Sequence, residues 1–115
     1  MAAQPVSTPP AEAPATFIDP GDLPPETVMM LMTQDGYSPS ELTVSSGTTV
    51  AFVNESESNL WPASNIHPTH GLYPEFDPRE PVPSGKAWTF TFDKPGRWPM
   101  HDHIYPQLTG MITVE

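Results

Sequence analysis

The chain has 115 residues, 14 Asp/Glu against four Lys/Arg, a net charge of −10 with neutral histidines, and no cysteine. That balance repels phosphate backbones and excludes nucleic acid as a natural partner, while it favours cations. The missing thiols exclude disulfides, thiolate nucleophiles and cysteine-ligated zinc.

The first 25 residues, "MAAQPVSTPPAEAPATFIDPGDLPP", hold seven of the 17 prolines among Ala, Ser and Thr. Such a stretch buries too little apolar area to offset ordering, and its prolines keep it extended. Residues 1–25 are therefore read as a proline-rich tether, with local docking near Phe17 and Ile18. Residues 26–115 form the folded domain, close to the lower size at which one core suffices. No apolar run reaches the length of a membrane span. A Pro/Ala-rich start is what remains when an exported protein loses its signal, which implies a periplasmic or extracellular protein, with the removed N-terminus as a candidate membrane tether.

Beyond the tether, short apolar runs alternate with turn signals. Thr27–Thr33 reads as a strand, "QDG" as a turn, Glu41–Ser45 as a second strand, "SSG" as a turn, and Thr48–Asn54 as a third strand. Met29, Met30 and Met32 look like a methionine tract but fit core and edge positions of a strand better. "WTFTF" alternates strictly, with Trp88, Phe90 and Phe92 on one face and threonines on the other. After the turn "DKPG" come a strand over Arg97–His103 and a closing strand in "TGMITVE". Nothing sustains helical periodicity, so the expectation is an all-β, antiparallel sandwich or barrel. Between residues 55 and 85 lies a long Pro/Ser/Asn-rich connection whose Trp61, Tyr73 and Phe76 favour order. Its segment "YPEFDPREP" reads either as a packed, proline-stiffened loop or as a partner-binding loop.

All four histidines fall in two clusters, His67 and His70 in "HPTH" and His101 and His103 in "HDH". In a strand, residues i and i+2 share a face, so His101 and His103 project together, with Cα atoms about 6.5–7 Å apart, and Asp102 points the other way. Pro68 keeps His67 out of helical conformation, so "HPTH" is a turn that can bring both rings to one centre. Four imidazoles suit Cu(II) first, with zinc as runner-up. Nearby oxygens on Asp102, Tyr73 and Glu75 would orient imidazole N–H groups. A semi-buried Asp102 also needs partners, from the Tyr105 hydroxyl, backbone N–H groups or a histidine. Met100, Trp61, Trp88 and Trp98 read as core residues.

Three stretches, "YSPSELTVSSGTTVAFVN", "PSGKAWTFTFDKPGRW" and "HDHIYPQLTGMITV", together resemble the cupredoxins of the plastocyanin/azurin superfamily. They span roughly residues 36–115. The resemblance implies a Greek-key β-sandwich or barrel with a metal at one end. Its blue-copper ligands are absent: the cysteine position holds Asp102, the late histidine position Tyr105, the methionine position Leu108, and the early histidine falls near Trp61. Without thiolate the trigonal His₂Cys site cannot form. The histidine pair around Asp102 is instead similar to the His-Cys-His segment of multicopper oxidases, whose flanking histidines bind other coppers.

The function expected is thus copper binding at a non-blue, type 2-like site of His67, His70, His101 and His103. Its role would be copper handling or a redox accessory task outside the cytoplasm, with an envelope redox or copper-handling protein as partner. Two competing readings stand beside it, a small copper enzyme acting on superoxide or oxygen, and a metal-free interaction domain.

Overall fold

The computed structural model describes residues 17–65 and 72–115. Eight strands run in order: β1 (Val28–Thr33), β2 (Gly36–Ser38), β3 (Glu41–Val44), β4 (Thr48–Asn54), β5 (Pro62–Ser64), β6 (Ala87–Phe92), β7 (Gly96–Asp102) and β8 (Thr109–Val114). They form two four-stranded sheets, β2-β1-β4-β6 and β3-β8-β7-β5. The all-β sandwich is as expected, but the sheets are mixed rather than antiparallel. β1 lies parallel to β4, and β3 parallel to β8. In each pair the partners come from opposite sides of a turn-rich stretch and cross between sheets, so no hairpin rule dictates their direction.

Alternation builds the core. On β6, Trp88 and Phe92 are buried while Thr91 is exposed, and Thr91 meets Thr49 of β4 through their hydroxyls at 2.7 Å on the outer face. On β1, Met30 and Met32 are fully buried and Met29 is half exposed, as a half-buried strand demands. The methionines are therefore packing residues. Trp88 and Met100 lie in the main core, and Trp98 packs partly buried against it with its indole N–H donating to Lys94 O.

The long connection contributes to this core rather than looping free. Phe76 is fully buried, with ring centroids 5.0 Å from Phe92, 5.4 Å from Phe52 and 5.6 Å from Phe90. Tyr73 joins it, edge-on to Phe90 and Trp98, and its hydroxyl donates to Asp93 Oδ1. "YPEFDPREP" is thus a packed loop. At its other end Asn54, 1 % exposed, fixes the turns: its Nδ2 donates to the carbonyls of Ser58 and Val82, and its Oδ1 accepts from the Ser56 amide and hydroxyl.

The end of the proline-rich segment docks as well. Ile18 and Ala87 exchange backbone hydrogen bonds, a single 3₁₀ turn covers Pro20–Asp22, and Ile18 and Leu23 pack over Ala51, Val53 and Ala87 on the outer face of the first sheet. Residues 1–16 lie outside the described residues.

Inside the sandwich, the Tyr37 hydroxyl is buried with no hydrogen-bond partner among the described residues. Burial pushes its pKa well above the ordinary tyrosine value, and the nearby Asp102 charge pushes it further.

Two stability outcomes follow. Phe76→Ala removes a fully buried ring packed on Phe52 of β4 and on Trp88, Phe90 and Phe92 of β6, and should cost about 3–5 kcal/mol in urea unfolding, a large share of a small domain's stability. For Tyr37 the folded chain keeps the proton to higher pH than the unfolded chain does, so its contribution is intact below about pH 10 and lost as pH rises beyond it. Tyr37→Phe should change stability at pH 7 by no more than about 1 kcal/mol, since the lost hydroxyl has no hydrogen-bond partner among the described residues, and should blunt the alkaline decline.

Candidate metal centre

The histidine pair near the C-terminus sits where β7 meets the edge strand β5. The antiparallel register pairs Pro62 with Asp102, Ala63 with His101 and Ser64 with Met100. The ladder runs one residue further at each end. His103 N–H donates to Trp61 O at 2.7 Å, and Asn65 N–H donates to Pro99 O at 3.0 Å. So although β7 ends at Asp102 by its strand bounds, His103 still occupies a ladder position. By strand alternation His101 and His103 share the outward face, opposite Ala63 and Trp61, while Trp98, Met100 and Asp102 share the inward one.

Each imidazole has a defined neighbour. His101 is only 3 % exposed, and its Nδ1 lies 2.8 Å from Asn65 Oδ1, its diagonal neighbour across the strands. A carboxamide oxygen only accepts, so Nδ1 is the donor in this contact. Metal-ligating histidines commonly have their other ring nitrogen held by an acceptor in this way. His103 packs its ring against Trp61 with centroids 4.5 Å apart. Trp61 is consequently not a core residue. It lies half-buried on the outer surface, and its indole N–H donates to Asp77 Oδ1.

Asn65 also bonds across the following span. Its carbonyl accepts the Leu72 N–H at 2.8 Å, closing the chain across residues 66–71. His67 and His70 lie in that span, outside the described residues. Among the described residues no group of three or more His, Asp or Glu side chains is arranged to hold a metal ion. Tyr73 and Glu75 turn elsewhere, Tyr73 to Asp93 and Glu75 to Lys94 Nζ.

Asp102 is fully buried, and both its carboxylate oxygens accept backbone donors. Oδ2 accepts Trp61 N–H at 2.7 Å, and Oδ1 accepts Ile104 N–H at 2.9 Å and Tyr105 N–H at 3.0 Å. Asp102 N–H in turn donates to Leu108 O, closing the loop 103–108 at its base. Of the three kinds of partner open to Asp102, backbone N–H groups are those found. Tyr105 and Leu108 line a cavity of about 280 Å³ with Gln34, Ser58, Leu60 and Gln107. The four positions that a blue-copper site would use therefore offer Trp61, one already hydrogen-bonded carboxylate, a tyrosine and a leucine. This donor set does not fit a blue copper ion.

No helix of the described residues is long and apolar enough to cross a membrane. A model of the cupredoxin-like domain matches residues 15–114. No curated protein matches the chain. Among solved structures, amicyanin from Paracoccus versutus (Thiobacillus versutus) superposes with a TM-score of 0.75 at 24% identity, covering 87% of this chain and 92% of its own. A reduced proline-to-phenylalanine variant of amicyanin gives 0.76 at 19% identity, covering 88% and 93%. The Cu(I) form of a methionine-to-alanine variant of amicyanin gives 0.73 at 19%, covering 88% and 93%. At these identities the likeness is one of fold. With the match to residues 15–114, it makes this chain a member of the cupredoxin-like domain family, one without the cysteine of the blue-copper members.

Proposed function

We propose that this domain binds a copper ion on the outer face of the β5–β7 ladder through His67, His70, His101 and His103, as a non-blue, type 2-like site. It serves copper handling or a redox accessory role outside the cytoplasm, with a redox or copper-handling protein as partner. The observation that carries the reading is the double role of Asn65. Its side chain accepts from His101 Nδ1, and its carbonyl accepts the Leu72 N–H that closes the span containing the other two histidines. Two peptide units join Asn65 to His67, and two join His70 to Leu72, so each Cα is within about 7.6 Å of a residue bonded to this hub. These short tethers are compatible with all four imidazoles reaching one ion. The family adds that its fold accommodates copper, since amicyanin is known in a Cu(I) form. All-nitrogen donors favour Cu(II) over zinc in the divalent series. An extracytoplasmic setting fits the composition of the proline-rich linker.

Equilibrium dialysis of the chelator-treated protein should give one Cu(II) per chain, with electron spin resonance showing several nitrogen couplings and no intense thiolate absorption. Changing His101 and His103 together to Ala should abolish uptake while leaving the far-ultraviolet circular dichroism unchanged. Changing His67 and His70 together should weaken affinity by at least about tenfold, a ligand-loss effect of roughly 1.4 kcal/mol or more. Uptake should collapse as pH falls through about 6 to 5, where imidazoles protonate. Stoichiometric copper without nitrogen couplings would rule out the histidine site, and no uptake at neutral pH would leave only the metal-free sandwich.

A further inference from the structure

We infer that the Asp102 carboxylate is a built-in substitute for a metal ion at the family's metal position, an anion that organises the pole of the sandwich by collecting backbone donors instead of a cation that collects ligands. The inference stands apart from the outer-face copper reading and does not depend on it.

Three observations carry it. First, the donors come from two chain segments far apart in sequence: Trp61 leads into β5, whereas Ile104 and Tyr105 belong to the loop between β7 and β8. One carboxylate therefore ties the long connection to the C-terminal loop. Second, the loop closes on the same residue, since Asp102 N–H donates to Leu108 O. Positions 61, 102, 105 and 108, the ones at which blue-copper ligands are expected, are thus joined through Asp102, all by backbone groups except its own carboxylate. Third, the group is fully buried, and a charge in that environment persists only when its oxygens are met by donors. Hydrogen bonds from N–H to a carboxylate are among the stronger ones, and three of them converge here.

The arrangement has a functional consequence. The interior position is closed to metal, because a cation there would have to displace three N–H donors that point at the carboxylate. The pole is therefore shaped before any metal arrives, and His101 and His103, on either side of Asp102 in sequence, inherit a fixed backbone. Asp102 is in this sense a positioning residue that touches no metal.

Amide hydrogen exchange by nuclear magnetic resonance tests this directly. In chelator-treated wild-type protein the amides of Trp61, Ile104 and Tyr105 should exchange slowly, and added Cu(II) should leave that protection within about twofold. In Asp102→Asn the one remaining oxygen can serve Trp61 or the Ile104–Tyr105 pair but not both, so at least one of these amides should exchange about tenfold faster or more, while Val50 and Phe52 in the other sheet keep their rank. The inference is overturned if the three amides are unprotected without metal and become protected only with copper, or if Asp102→Asn leaves their protection intact. Should that variant fail to fold, the wild-type comparison with and without chelator decides alone.

Discussion

A buried carboxylate that accepts three backbone N–H groups is the constraint on which the functional pole of this domain rests. Asp102 sits at the inward-facing end of β7, below Trp98 and Met100, where an unpaired charge would be prohibitive. Its acceptance of Trp61, Ile104 and Tyr105 turns that liability into a cross-link that carries the joining of the two segments beyond the last ladder bond, His103 N–H to Trp61 O. Asn54 performs a comparable task nearby, with a neutral side chain that donates twice and accepts twice. Together the two polar groups hold the irregular chain around the top of a core otherwise built from aromatic and aliphatic packing.

Because inward and outward positions alternate along β7, saturating the inner face at residue 102 leaves residues 101 and 103 on the outer one. There the edge strand β5 sets the surroundings. Trp61 covers one imidazole, Asn65 fixes the hydrogen on the other, and the same asparagine pins both ends of the span that follows. A cupredoxin-like sandwich without its cysteine thus has two chemically distinct sides at one pole. The inner side is occupied by a hydrogen-bonded anion, and the outer side carries imidazoles. The copper site proposed above lies on the second.

The sequence discloses these layers unequally. "WTFTF" and "TTVAFVN" betray their strands because alternation and β-branched residues act locally, and β4 matches its expected bounds. β2 and β5 are three residues each, the second beginning with proline, and too short for any period to register. The parallel pairings escape because they are decided between sheets, not within a hairpin. Asp102's need for donors follows from burial of charge alone, but which donors answer depends on how a loop 41 residues away in sequence returns. Asn65 carries no pattern at all. Only its place at the mouth of the "HPTH" span hints at a role, and its double hydrogen bonding is a product of the register. Trp61 misleads for the opposite reason, since a large aromatic suggests the core while here its ring covers a histidine on the surface.

The proposed arrangement puts copper outside the sheet and a carboxylate inside it. A crystal of the copper-loaded protein, with anomalous differences collected at the copper edge, measures this directly. The account predicts one peak on the outer face of the β5–β7 ladder, within bonding distance of His101 Nε2, and an Asp102 carboxylate still bound to its three amides. A peak between the sheets at Asp102, with those amides displaced, would contradict it.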